Sequence, residues 1–113
     1  MTNEVKEGVL VISLVGNLLG ENTNAPVMEL LKQNIETGST KVVFNLSEMK
    51  FINSTGLGML MTALTKSRNA GGDLALSGVP DQMKKLLQMT KLETVFTVCE
   101  DEKSAIQFLN NTK

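Results

Sequence analysis

The residues best suited to chemistry lie within "FINSTGLGMLM", Phe51 to Met61. An amide at Asn53 and hydroxyls at Ser54 and Thr55 run directly into a glycine-rich and then apolar stretch. A serine at the start of a helix can cap that helix, and such a cap stabilises a protein by about 1 kcal/mol. The same hydroxyl can accept a phosphate or, beside a suitable base, act as a nucleophile. The local pattern alone leaves these alternatives open.

Two glycines follow Ser54 in the first turn of the helix that the pattern predicts. Gly56 and Gly58 each cost roughly 0.5–1 kcal/mol relative to alanine at a helical position. A helix cap needs only one hydroxyl and does not explain them, so we expect another backbone or a bulky group to come close. The free N–H groups and the dipole at a helix start also favour a phosphate.

Composition argues against several kinds of catalytic and metal site. The chain of 113 residues has no histidine and a single cysteine, Cys99. A Ser-His-Asp or Cys-His arrangement is therefore impossible, and neither a structural zinc site nor an internal disulfide is expected. The apolar residues before Cys99 indicate a small buried side chain rather than a reactive thiol.

Charge and hydropathy narrow the possible partners and location. The formal net charge is −1, from 11 basic and 12 acidic residues, so no nucleic acid or anionic membrane partner is expected. The run "VLVISLVG" is far shorter than the roughly 20 apolar residues of a membrane-spanning helix, and we predict a buried strand there and no membrane insertion. The chain lacks G-x-x-x-x-G-K-[ST], and no cofactor, metal or catalytic residue is expected. We predict a cytoplasmic protein that is not an enzyme.

The elements around Ser54 alternate between strand and helix. Strands are predicted at "VLVISLV", "KVVFNL", "LALSGV" and "TVFTVC", with an added edge strand in "NEVKEG". The tight link between the first two strands makes that edge antiparallel, and the helical connections make the other strands parallel. This pattern predicts one α/β domain over residues 1–113.

Turn and cap signals place the helices. The first helix follows the loop "GNLLGENTNA", with Pro26 in its first turn and Thr23 or Asn24 as its cap. The second runs from about Ser54 to Asn69. Its apolar stripe consists of Leu57, Leu60, Met61 and Leu64.

The last two helices follow the third and fourth strands. Pro80 opens the third helix, and Asp101 caps the fourth. The inward-facing residues expected in these helices are Met83, Leu86, Leu87, Ala105, Ile106 and Leu109.

The stretch "FINSTGLGML" resembles the signature of STAS domains, above all the small anti-sigma factor antagonists of bacteria. The usual sequence of this signature is Asp-Ser-Ser/Thr-Gly-Leu-Gly. The resemblance covers nearly the whole chain, through "LVISLVGNL", "NAPVMELL", "VVFNLSEMKFINSTGLG", "AGGDLALSGV" and "MKKLLQMTKLETVF". It implies a STAS-type fold: a mixed, largely parallel sheet of four to five strands flanked by about four helices.

The resemblance also implies a partner-switching role in transcription regulation. The unphosphorylated protein would bind an anti-sigma factor with serine kinase activity and release a sigma factor. Phosphorylation of Ser54, rather than Thr55, would abolish this binding, and a serine phosphatase would restore it. With the helix face that the apolar stripe leaves free, the predicted partner-binding residues are Asn53, Ser54, Thr55, Gly56, Gly58, Met59 and Thr62. Met59 is expected either to be an exposed apolar contact or to pack under the loop before the helix.

The chain departs from the family pattern at three places. Asn53 stands where an aspartate is usual, Lys91 replaces a common glycine, and the loop after Gly16 lacks the usual acidic residues. Asn53 favours an alternative, a non-phosphorylated STAS module acting as adaptor or scaffold in a signalling or lipid-transport complex. A third possibility, an enzyme with Ser54 as nucleophile, lacks a histidine to act as base.

Overall fold

The computed structural model describes residues 2–18 and 21–111, which form five strands and four α-helices. The strands are β1 Thr2–Lys6, β2 Val9–Leu18, β3 Lys41–Ile52, β4 Asp73–Ser77 and β5 Thr97–Cys99. The helices are α1 Glu21–Glu36, α2 Ser54–Asn69, α3 Asp81–Met89 and α4 Glu102–Asn111. The strand order is β1-β2-β3-β4-β5, with only β1 antiparallel to its neighbour. The mixed, largely parallel sheet predicted from the sequence is confirmed.

The helices cover the two faces of the sheet unequally. Helices α1, α2 and α3 connect adjacent parallel strands, and the right-handed crossover places all three on one face. Their apolar residues, such as Leu60 of α2, pack with Phe44 of β3 in the larger of two cores. Helix α4 covers a smaller core on the other face. The smaller core consists of Val9, Val11, Val43, Ala75, Ala105, Ile106 and Leu109, with Cys99 packed against it. The nearly continuous apolarity of β2 is thus explained by burial on both faces.

Helix α1 begins earlier than the sequence predicted. The expected loop from Gly16 to Ala25 is divided between the end of β2 and the start of α1, and its residues 19 and 20 lie outside the described range. Thr23 and Asn24 are helical rather than capping, and Pro26 lies inside the helix. Proline removes one helical hydrogen bond. The full burial of the helix residues that follow it offsets that loss, because packing supplies most helical stability in proteins. Those residues are Val27 and Leu31.

β3 and β5 also differ in length from their predictions. β3 runs on from Leu46 to Ile52 because its second half pairs with β2 as far as the pair Leu18 and Ile52. β5 is shorter, because the residues before it form a turn. The backbone N–H groups of Val95 and Phe96 both donate to the Leu92 carbonyl, at 3.0 and 3.1 Å. Backbone groups used in that turn cannot extend the ladder with β4.

The turn between α3 and β5 gives a stability prediction. Lys91 has a φ of 60° in the left-handed region, which costs a residue with a side chain roughly 1–2 kcal/mol. Lys91→Gly is therefore expected to raise the free energy of unfolding by about 0.5–1 kcal/mol, the gain being reduced by the greater freedom of glycine in the unfolded chain.

Urea denaturation followed by circular dichroism measures this change. Lys84→Gly, at an exposed helical position in α3, is the matched control and should lower stability by about 1 kcal/mol. If both substitutions changed the free energy of unfolding in the same direction, the assignment of strain to Lys91 would be contradicted.

Candidate functional site

Asn53 joins β3 to α2 and caps the helix. Its backbone is extended, and its Oδ1 accepts a hydrogen bond from the backbone N–H of Gly56 at 2.9 Å. The Asn53 carbonyl accepts the first helical hydrogen bond, from Leu57 N–H at 2.9 Å. The N-cap role considered for Ser54 therefore belongs to Asn53. Ser54 is the first helical residue and is exposed.

The predicted site residues divide between an exposed line and a buried flank of α2. Ser54, Gly58 and Thr62 are all exposed and lie four residues apart, so they form one line along the helix, which we call the Ser54 face. The Thr62 hydroxyl donates to the Gly58 carbonyl at 3.0 Å, which holds it against the helix. Thr55 is exposed beside this face.

Met59 is buried, and the prediction of an exposed contact there is wrong. Its side chain is 5% exposed and belongs to the larger core. Helix α2 lies against α1 as well as against the sheet, and Met59 belongs to the same core as Val27 and Leu31 of α1. The buried residues of this flank of α2, Gly56, Met59, Ala63 and Ser67, recur every three or four positions, and this spacing was the sequence signal for a wider buried surface.

Gly58 leaves open space on the Ser54 face. A Cβ atom built at Gly58 has no neighbouring atom within 4 Å. The close approach expected at this glycine is therefore not made by the part of the chain that the structure describes. A side chain could be added at Gly58 without disturbing the fold, and a partner's backbone could lie directly against the helix there.

The helix start at Ser54 favours an anion. The first turn of α2 has no acidic residue, and its last turn carries Lys66 and Arg68. Asn53 caps the helix without adding charge, so no carboxylate of this turn offsets the positive end of the dipole. A phosphate group on Ser54 would enter this environment.

The described residues hold few other groups suited to chemistry. No group of three or more acidic or cysteine side chains that could hold a metal occurs in residues 2–18 and 21–111. Burial, with a smaller contribution from the Asp101 carboxylate, raises the pKa of the half-buried Cys99 thiol, which disfavours the reactive thiolate. No helix among these residues is long and apolar enough to cross a membrane.

Comparison with known sequences identifies the kind of domain that carries this geometry. The STAS domain family matches residues 1–105 of the chain. An anti-sigma F factor antagonist from Paenibacillus polymyxa is 24% identical over 103 residues, which cover 91% of this chain and 88% of that protein. An anti-sigma-B factor antagonist from Staphylococcus aureus is 28% identical over 86 residues, covering 76% of this chain and 80% of that protein.

Solved structures share the fold. The anti-sigma factor antagonist SpoIIAA in its unphosphorylated form superposes with a TM-score of 0.78 at 20% identity, covering 98% of both chains. SpoIIAA from Bacillus in its phosphorylated form gives a TM-score of 0.73 at 22% identity, covering 94% of this chain and 96% of that chain. At these identities the likeness shows a common arrangement of strands and helices.

Proposed function

The chain belongs to the STAS domain family, and we propose that it is an anti-sigma factor antagonist controlled by phosphorylation of Ser54. In its unphosphorylated form it binds an anti-sigma factor and so releases a sigma factor. The observation that carries the proposal is the position of Ser54, exposed at the first residue of α2 while Asn53 supplies the cap. The names of the relatives from Paenibacillus and Staphylococcus support the same class of partner.

The proposed contact surface is the Ser54 face. The anti-sigma factor lies along Ser54, Gly58 and Thr62, where Gly58 allows a close approach of backbone to backbone. The partner's serine kinase activity transfers a phosphoryl group from ATP to the Ser54 hydroxyl, and a serine phosphatase removes it. The chain acts as substrate and regulator, and it contains no histidine that could activate the Ser54 hydroxyl as a catalytic nucleophile.

Asn53 sets the charge of this switch before phosphorylation. A carboxylate at this position would leave the unphosphorylated helix start negative, whereas the amide of Asn53 leaves it neutral. Phosphorylation then changes the local charge from zero to about −1.5 to −2 at pH 7. The amide oxygen still makes the capping hydrogen bond to Gly56, so the substitution changes the electrostatics of the site and preserves its geometry.

Phosphate transfer to Ser54 tests the proposal directly. The chain is incubated with ATP and each ATPase-type anti-sigma factor of the source organism, and the products are analysed by mass spectrometry. A gain of one phosphoryl group on Ser54, together with loss of the complex, is expected. The adaptor or scaffold alternative, which the neutral Asn53 also favours, predicts a complex whose mass stays unchanged in ATP.

Gly58→Ala separates partner binding from stability. Alanine in a helix is more stable than glycine by roughly 0.5–1 kcal/mol, and the open space at Gly58 accommodates its methyl group. The variant should therefore be more stable than the native chain. Its affinity for the anti-sigma factor should fall about tenfold or more, because the methyl group pushes the partner away.

Urea denaturation and titration calorimetry measure the two effects. Asn69→Ala, exposed at the far end of the same helix, is the control and should leave affinity unchanged. Undiminished binding by Gly58→Ala would remove this part of the Ser54 face from the interface.

A further inference from the structure

β3 extends beyond its neighbour β4 at the end of the strand that leads to the Ser54 face. β4 pairs with β3 only from Lys41 to Asn45, whereas β3 continues to Ile52 with β2 as its partner. At Gly78 the chain turns beside Ser47, so closely that a Cβ there would lie 2.8 Å from the Ser47 Cβ. Along residues 48–52 the edge of β3 towards α3 therefore has no strand partner among the described residues. An unpaired strand edge presents backbone N–H and C=O groups to another chain.

A groove of about 80 Å³ lies between this edge and the start of α3. We call it the β3–α3 groove. Its lining includes Phe51 and Ile52 from β3 and Met83 and Leu86 from α3. Phe51 is 61% exposed, although a free phenyl ring in water is costly. The groove thus combines an open strand edge with an apolar floor.

The lining of the groove carries one positive charge. Lys50 is the one charged residue among the side chains that line it. An occupant with an acidic residue beside an apolar one would match both the lysine and the apolar lining. The groove also reaches Ile52, two residues before Ser54, so a partner on the Ser54 face can contact both surfaces.

We propose that the β3–α3 groove binds an extended segment of the anti-sigma factor that carries an apolar residue next to an acidic one. The segment adds alongside residues 48–52 of β3 by main-chain hydrogen bonds. Its apolar side chain enters the groove, and its carboxylate pairs with Lys50. This assignment rests on the proposed function and names the part of the partner that the switch controls.

The groove also shows how a phosphate on Ser54 acts on the partner. The acidic residue held by Lys50 lies at the same end of β3 as Ser54. A phosphate dianion there repels that carboxylate. Phosphorylation thereby weakens the partner's contact in the groove as well as its contact with the Ser54 face, without any change of fold.

Charge reversal at Lys50 tests the proposal with the intact chain and the purified anti-sigma factor. Lys50→Glu should lower affinity about tenfold or more and weaken the dependence of affinity on salt. Lys103→Glu makes the same change at an exposed position on α4, across the sheet, and should have no effect. Equal affinities for the two variants would overturn the assignment.

A second pair of variants tests the apolar contact. Phe51→Thr should lower affinity about tenfold, whereas Met89→Thr replaces a side chain that is 82% exposed at the end of α3 and should not. Circular dichroism checks that Phe51→Thr stays folded. If the folded variant binds as tightly as the native chain, the groove is not part of the binding surface.

Synthetic peptides test the groove separately from the proposed function. The peptide acetyl-Glu-Leu-Asp-Val-Glu-amide should shift the backbone amide resonances of residues 48–52 and 82–86 in nuclear magnetic resonance titrations. The same peptide with lysine in place of its acidic residues should not. If no anti-sigma factor binds but the acidic peptide does, the proposed function fails and the groove stands.

Two other results would count against the proposal. If an anti-sigma factor binds but neither peptide shifts these resonances, the groove assignment fails and the proposed function stands. Sedimentation of the chain alone as a dimer that Lys50→Glu dissociates would assign the groove to a second copy of this chain instead.

Discussion

Phosphorylation of Ser54 is expected to lower the affinity for the anti-sigma factor several-hundred-fold while the domain stays folded. The phosphate adds about −1.5 to −2 charge at a helix start that favours it by roughly 0.3–1 kcal/mol. A docked partner would have to bury the same dianion, and an uncompensated charge at an interface costs several kcal/mol. Since 1.4 kcal/mol is about tenfold in affinity, a cost of about 3–4 kcal/mol outweighs the stabilisation by the helix.

Three variants test the position of this switch. Ser54→Ala should bind the anti-sigma factor constitutively and take up no phosphate. Ser54→Asp should bind poorly, although less poorly than the phosphorylated chain, because aspartate carries a smaller charge. Thr55→Ala is the control and should be phosphorylated and released like the native chain.

Affinity measured by calorimetry and phosphate uptake measured by mass spectrometry distinguish the outcomes. If the cognate kinase still phosphorylates Ser54→Ala, the acceptor is another residue. If Ser54→Asp binds as tightly as the native chain, charge at this position does not control the complex.

Met59→Glu is expected to destabilise the fold by at least about 3 kcal/mol. Its side chain is buried in the larger core, where a carboxylate would lose its hydration without gaining a partner. Such a loss is a large part of the roughly 5–15 kcal/mol by which domains are stable. Any loss of binding in this variant would follow from unfolding rather than from a removed contact.

Thr62→Glu is the matched control for this prediction. It introduces the same group three residues further along α2, at an exposed position, and should change the free energy of unfolding by less than about 0.5 kcal/mol. Urea denaturation measures both variants. If Met59→Glu kept native stability and lost only partner binding, the side chain would belong to the interface.

Features set by local residues could be predicted from the sequence. Helix α2 begins at Ser54 and ends at Asn69 as predicted, because its apolar spacing and its flanking polar and glycine residues are local signals. The antiparallel β1–β2 edge and the Asp101 cap of α4 are confirmed for the same reason. The resemblance of the stretch around Ser54 to the STAS signature likewise pointed to a serine that the fold exposes.

Tertiary contacts decided the features that local pattern left open. Asn53 rather than Ser54 caps α2 because β3 remains extended to Ile52, and that extension depends on pairing with β2. Met59 is buried in a core to which α1, α2 and the sheet all contribute, and the β3–α3 groove exists because β4 stops short of the end of β3. Each of these contacts joins segments far apart in the chain. The residues around Ser54 encode the helix, but its capping residue and the surface left open to a partner depend on which distant strands and helices pair with or cover the rest.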